Sequence, residues 1–422
     1  MRTLPLRSTE RPAMPSPSCR LCGNPLEHVF VDLRTSPLSN SILKPEQANR
    51  MEPFYPLRAL VCADCLLVQL EEYETPESIF SDYSYFSSYS TSWLEHSRRY
   101  VGEMIDLLQL GPSNLVVELA SNDGYLLQYF HERGIPVLGV EPAGNVAAVA
   151  IERDIPTLVE FFGRAVAESM VPDSKADLLI GNNVLAHVPG LNDFVAGMKV
   201  LLNSGGLITM EFPHVVRLVE DNQWDTIYHE HFSYFSFTTV SRLFEAHDMR
   251  LFDVEELSTH GGSLRIYGCH ADDPSRERSE RAAELLERER AAGFTDLATY
   301  TAYAARVVED KRNVLEFLID LKREGKRIVG YGAPAKGNTL LNYCGISTDF
   351  VDYTCDLNPH KQGNLLPGSR IPIRTPDAIR EDRPDVVLIL PWNLQDEITE
   401  QLSFIADWGG RFAVRAPELR LL

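Results

Sequence analysis

The sequence predicts an α/β fold: a doubly wound parallel sheet, preceded by a small cysteine-bearing module and followed by a second Rossmann-like unit. Three observations carry that prediction. Short apolar runs at 115–119, 136–140, 176–184 and 207–211 alternate with stretches of helical periodicity, the pattern of successive βαβ units. The first of those runs, and another beginning at Arg327, pass directly into tight polar or glycine turns that open helices. Two Cys-x-x-Cys pairs, Cys19/Cys22 and Cys62/Cys65, stand ahead of the sheet.

At 422 residues the chain is long enough for two or three domains with a sizeable core. Its hydrophobic fraction of 44% and charged fraction of 24% are those of a globular protein in water. A net charge of −20 argues against nucleic acid as a partner, because that binding rests on neutralising phosphates. An anionic small molecule needs only a local basic pocket. No apolar run reaches the roughly 20 residues that cross a bilayer, so no membrane partner is expected. Residues 1–18 are rich in Arg, Pro and Ser without an apolar signal core, and read as a flexible tail. The expectation is a cytoplasmic protein, as a monomer or small homo-oligomer.

The first module is drawn as 19–88. Two Cys-x-x-Cys pairs without a secretory signal suit a tetrahedral zinc site with Cys19, Cys22, Cys62 and Cys65 as ligands. Redox pairs are the alternative, although neither pair stands at a strand–helix start. Four protein ligands leave no open position, so such a zinc is structural. Its binding contributes roughly 10–16 kcal/mol toward folding a segment too short for its own core. Cys269, Cys344 and Cys355 are isolated and read as packed side chains. The module ends in Ile79-Phe80-Ser81-Asp82-Tyr83-Ser84-Tyr85-Phe86-Ser87-Ser88-Tyr89-Ser90, whose hydroxyls can line a sugar or nucleotide site or whose rings can simply pack.

The central domain is drawn as 89–255, with a helix over 93–110 leading into the first strand. That strand runs into Glu118-Leu119-Ala120-Ser121-Asn122-Asp123-Gly124 before a helix over 126–133. A strand–turn–helix unit aims free backbone N–H groups at a ligand. The second strand ends in Glu141-Pro142, an acidic side chain placed for ribose hydroxyls. The third ends in Asn182-Asn183, with His187 just beyond; a helix over 191–202 breaks at Gly205-Gly206 before the next strand. The arrangement resembles the S-adenosylmethionine (SAM) site of class I methyltransferases, with an ordinary ligand-free βα unit as the alternative. That resemblance implies cofactor contacts from Glu118, Ala120, Asn122, Gly124, Glu141, Pro142, Asn182 and Asn183.

Tyr228-His229-Glu230-His231 follows the last strand of this set. The spacing is wrong for a zinc HExxH motif. A His titrating near neutrality suits a general base, with the Glu orienting it or a substrate group. The alternative is a polar segment whose histidines cap and pack, and a lone His187 carries the same ambiguity.

The C-terminal domain is drawn as 256–422. It opens on Thr259-His260-Gly261-Gly262-Ser263-Leu264-Arg265 with a strand over 264–267, then charged helices over about 275–292 and 296–324. Gly330-Tyr331-Gly332-Ala333-Pro334-Ala335-Lys336-Gly337 repeats the strand–turn–helix theme, and strands are expected over 350–353 and 385–390. This second Rossmann-like unit could hold NAD, a diphosphate on its Lys, or no ligand. No acidic residue is seen to end its next strand.

Taken in order, these motifs resemble the C-methyltransferases of nucleotide-linked 4-keto deoxysugars, the enzymes of mycarose- and tetronitrose-type branched sugars. The match covers nearly all of the chain after residue 18. It implies a thymidine-diphosphate (TDP) 4-keto-6-deoxysugar substrate in antibiotic deoxysugar biosynthesis, methylated at C-3, with C-5 as the rival position. It implies His231 as the base that removes the proton next to the ketone. Tyr228, Glu230, His187 and Tyr85 would line the same pocket, and Arg265, Tyr331, Lys336 and Asn338 would bind substrate. Outside this class, an NAD-dependent sugar oxidoreductase and a zinc-dependent interaction protein with a decayed catalytic domain remain open.

Overall fold

The computed structural model describes residues 17–80, 86–171 and 175–422. Three sheets are present among them. The inner strands of the central sheet are almost wholly buried, as expected where helices cover both faces of a parallel sheet. Its order is Met249–Leu257, Ser263–His270, Leu202–Pro213, Ala176–Asn182, Val116–Leu119, Val137–Val140 and Thr157–Leu158. Strands from Leu202–Pro213 to Thr157–Leu158 pair in parallel, while Ser263–His270 is antiparallel to both of its neighbours. The sheet therefore continues past residue 255: a strand expected to open the C-terminal region inserts beside Leu202–Pro213. Its apolar alternation, Leu264 and Ile266 fully buried, matches that position.

From Val116–Leu119 the chain first builds outward to Thr157–Leu158, then returns to the other side at Ala176–Asn182. That reversal leaves a crevice at the strands' carboxyl ends, where open α/β sheets take ligands. The C-terminal sheet repeats the device. Its order is Ile373–Arg374, Thr354–Cys355, Ile328–Tyr331, Val386–Ile389, Arg411–Val414 and Arg420–Leu421, reversing beside Ile328–Tyr331.

Two expected elements shift. The helix over 93–110 is Thr91–Leu108, started by the Ser90 hydroxyl accepting the Trp93 N–H at 3.3 Å. The strand expected over 350–353 is instead Thr354–Cys355, because the backbone N–H groups of Phe350 and Val351 turn back onto the Ser347 carbonyl. That shift brings Asp356 to the strand's end. The helices Glu280–Ala291 and Leu297–Arg323 lie where charge patterning put them. No helix among the described residues is long and apolar enough to cross a membrane.

The N-terminal sheet is antiparallel, His28–Ser36, Tyr55–Val61 and Val68–Leu70, and its fourth strand is Ser233–Tyr234. A short strand from the middle of the chain thus completes the cysteine module's sheet. Leu297–Arg323 covers that sheet, with Phe30 stacked on Tyr303 at 5.0 Å between ring centroids. The C-terminal unit is locked to the centre by the fully buried Arg415, whose guanidinium meets Asp225 and Asp310, each at 2.8 Å, and the Asn222 carbonyl. The Trp392 and Trp224 indoles donate to the same two carboxylates. Every charge there has a partner, without which burial would cost several kcal/mol.

Candidate active site

A cavity of about 550 Å³ opens where the two sheet reversals face one another. Ala120, Asn122, Asn182 and Asn183 line it from the central sheet, and Pro334, Ala335 and Lys336 from the C-terminal one.

At the central end, Ala120 (φ 54°), Asn122 (φ 50°) and Gly124 (φ 74°) all take left-handed backbone. Asn and Gly adopt it readily, while Ala120 bears strain of the kind found at ligand sites. The turn is fixed from Glu141, whose carboxylate accepts the Asn122 N–H at 2.8 Å and the Ala143 N–H at 2.9 Å. Each of its oxygens keeps a lone pair for a ligand hydroxyl. Pro142 also lines the cavity, and Asn183 Oδ1 is buried on its wall without a hydrogen-bond partner among the described residues. Glu118 and Gly124 do not line it. Glu118 is fully buried, and desolvation pushes its carboxyl well above the ordinary range. Gly124 packs against Ile155 and supplies the turn.

Beyond this end stand the imidazoles. His231 Nδ1 lies 3.1 Å from the Thr226 carbonyl, which can only accept, so Nδ1 carries the hydrogen. Nε2 is then the basic nitrogen, and it accepts the Tyr228 hydroxyl at 2.8 Å. His187 is anchored in the same way, Nδ1 to the Glu230 carbonyl at 2.7 Å, with the two rings 4.7 Å apart and 70° inclined. Burial holds His231 well below the ordinary imidazole value and His187 at about 4, so both are neutral at pH 7.

Glu230 receives the Asn40 amide at 2.7 and 2.8 Å, one contact to each oxygen. Burial raises its carboxyl to about 7, against the pull of that amide. A raised folded-state value favours the protonated fold, and the advantage disappears as pH climbs through about 7. Replacing Glu230 by Gln should therefore flatten the fall in melting temperature between pH 5 and 8. An unchanged profile in that variant would place the titration elsewhere.

The base segment hangs from the cysteine module. Arg20, inside the first knuckle, donates through its guanidinium to the carbonyls of Phe232 and, at 2.8 Å, Leu70. Its backbone N–H binds Gln69 Oε1 at 3.0 Å, and Gln69 Nε2 reaches Cys19 Sγ at 3.2 Å. Cys19 and Cys65 sulfurs are 3.5 Å apart, as are those of Cys22 and Cys62, and all four lie within 4.8 Å of one another. Sulfurs tetrahedral about zinc at about 2.3 Å sit roughly 3.8 Å apart, so this donor set fits the metal.

At the C-terminal end, Lys336 and Lys361 line the cavity beside the N-terminus of the helix Ala335–Cys344. Lys336 binds Asn393 Oδ1 at 2.7 Å and lies over the Trp392 ring at 4.3 Å; burial pulls its ammonium down to about 8. Gly332 before it takes φ 88°, and a Cβ there would fall 2.5 Å from Pro391. Asp356 accepts the N–H groups of Ala333 at 2.7 Å and Asn358 at 2.8 Å, the same arrangement as Glu141 in the first unit. An acid does therefore end this unit's second strand, contrary to the sequence expectation, which had that strand four residues early.

Of the residues expected to bind substrate, only Lys336 reaches the cavity. Arg265 lies buried, paired with Glu211 at 3.0 Å and Glu255 at 3.3 Å over the Tyr100 ring. Tyr331 donates to Gln401 at 3.0 Å, and Asn338 spends its amide on the Ser39 carbonyl at 2.6 Å. Asn338 thereby holds the loop that presents Asn40. Tyr85 lies outside the described residues. Sequence reasoning assigned no role to Asn40, Trp93, His260 or Lys361, which all line the cavity. Of these, only His260, followed by two glycines, carried a local signal.

Sheet order, strained turn and acidic strand end define a class I SAM-dependent methyltransferase; bound there, SAM supplies an electrophilic methyl group. Family models described as a zinc binding domain, a methyltransferase domain and a C-methyltransferase C-terminal domain match residues 19–80, 93–254 and 258–417. The C-methyltransferase NovU of Streptomyces niveus is 36% identical over 409 residues, 97% of this chain and 97% of its own. The chain belongs to this C-methyltransferase family, with SAM as cofactor and zinc in its four-cysteine site. Among solved structures, the SAM-bound magnesium protoporphyrin IX methyltransferase of Synechocystis is 13% identical with a TM-score of 0.31, over 40% of this chain and 78% of that one. The glycopeptide N-methyltransferase MtfA is 12% identical with a TM-score of 0.33, over 46% of this chain and 94% of that one.

Proposed function

We propose that the protein methylates a carbon next to the ketone of a TDP-linked 4-keto-6-deoxysugar, at C-3, in antibiotic deoxysugar biosynthesis. The observation that carries this reading is the anchored His231, its basic Nε2 turned to Tyr228 in the cavity shared with the cofactor turn. A carbon beside a carbonyl becomes nucleophilic only as an enolate, which demands a base and donors for the oxygen. His231 takes the proton, and Tyr228, Glu230 and His187 orient the sugar around it. The same ketone also acidifies C-5, the rival position. Lys336, Lys361 and the helix N-terminus between the two sheets suit a diphosphate, since positive charge and free N–H groups converge there.

Incubation with SAM and a panel of TDP-4-keto-deoxysugars should add one methyl group to a panel member by mass spectrometry. NMR of the product should find it at C-3; a methyl at C-5 would reassign the position. Stabilisation against heat by NADH and not by SAM would instead support a sugar oxidoreductase.

A further inference from the structure

His260 has no role in the chemistry so far, yet its setting is built with care. It lines the cavity with left-handed backbone (φ 55°, ψ 17°), a conformation uncommon for a residue with a side chain. Gly261 and Gly262 follow at φ 92° and 119°. The turn has no room to relax. A Cβ on Gly261 would come 2.4 Å from the Trp392 ring, and one on Gly262 would come 2.8 Å from the Arg217 side chain. The preceding Thr259 donates its hydroxyl to Glu211 at 2.8 Å, a carboxylate also held by His96 and Arg265.

The residue is half-buried and its ring lines the cavity. Its Nδ1 is buried with no hydrogen-bond partner among the described residues. It stands edge-on to Trp93, 5.5 Å between centroids, and Trp93 stacks on Tyr125 beside the cofactor turn. It shares the cavity with His231, His187 and Lys336, near enough to act on them electrostatically. The imidazole thus lines the same cavity as both the cofactor turn and the base.

We propose that His260 is a further catalytic residue: a neutral imidazole that donates its N–H to the substrate's ketone oxygen and holds the charge developing there. The proposal rests on the keto-sugar reading above. The C–H bond next to the ketone breaks, its proton goes to His231 Nε2, and its electron pair moves onto the oxygen as an enolate. His260 keeps its own proton throughout. The enolate pair then forms the C–C bond to the methyl group as the methyl–sulfur bond breaks. Burial holds His260 at about 4, so at pH 7 it is a neutral donor, suited to an oxygen whose charge appears only in the transition state.

The test is solvent-deuterium exchange at the carbon next to the ketone, followed by NMR with S-adenosylhomocysteine in place of SAM so that no methyl moves. His260→Gly frees the backbone to keep its φ and should slow exchange about 10²–10³-fold, with KM and S-adenosylhomocysteine binding unchanged. His260→Asn tolerates left-handed backbone and retains a neutral amide donor, and should recover part of the rate. Wild-type exchange in the Gly variant overturns the proposal. So does joint loss of exchange and S-adenosylhomocysteine binding, which would make the turn merely structural. A wild-type protein that neither exchanges nor methylates any keto sugar overturns the substrate reading, and this proposal with it.

Discussion

Replacing His231 by Ala should abolish methyl transfer while S-adenosylmethionine binding stays intact. The imidazole is fixed at both nitrogens: Nδ1 on the Thr226 carbonyl, Nε2 on the Tyr228 hydroxyl. Among the described residues that line the cavity, His187 is turned by the Glu230 carbonyl and Glu230 is clamped by Asn40, while His231 alone has its basic nitrogen held by the Tyr228 hydroxyl. A positioned base is worth on the order of 10²–10⁴ in rate, and the expected loss is at least of that size. Hydrogen bonds that shape the cofactor turn come from Glu141, Ser87, Ser88 and Arg153, all outside the base segment, so affinity for SAM should hold within a few fold. Tyr228→Phe should lose less than His231→Ala, and the double variant no more than the His variant alone, because the two act as one unit. Turnover retained in His231→Ala would refute this residue as the base.

The cofactor turn was legible because its chemistry is local. A strand, a tight polar turn and an acid at the next strand's tip are all set by neighbours in sequence; that Glu141, expected to face ribose hydroxyls, also accepts the Asn122 N–H was not foreseen. The cysteine ligands were legible for the same reason. What the sequence hid depends on partners far along the chain. Arg265 reads as a cation for substrate until Glu211 and Glu255 are found against it. Asn40 carries no signal at all; it matters because Asn338, on a distant helix, pins its loop over Glu230. Asp356 was missed for a subtler reason, because a backbone turn at Ser347 delays the strand and moves its end onto that acid. Pairing of Ser263–His270 with Leu202–Pro213 is likewise non-local, and no periodicity distinguishes it from the opening strand of a new unit.

Cys62→Ser should lose zinc, and with it the fold of the first module. Binding of a structural zinc supplies roughly 10–16 kcal/mol, as much as the whole net stability of a typical domain, about 5–15 kcal/mol. The consequence reaches the active site through a short physical chain. Cys19 accepts from Gln69, Gln69 holds the Arg20 backbone, and Arg20 holds the carbonyl of Phe232, the residue next to His231. Ser233–Tyr234 is moreover an edge strand whose sheet partner is Val68–Leu70 of the same module. A zinc that never touches substrate is thereby required for the base to stand where it does. The expected result is a variant with less than one zinc per chain by elemental analysis, a lowered melting temperature or insolubility, and no methyl transfer. Cys355→Ser is the control: its thiol is buried in the C-terminal sheet, bonded to the Thr375 carbonyl, and its loss should leave zinc content unchanged. A soluble, active Cys62→Ser protein without metal would overturn both the structural assignment and the link from metal to base.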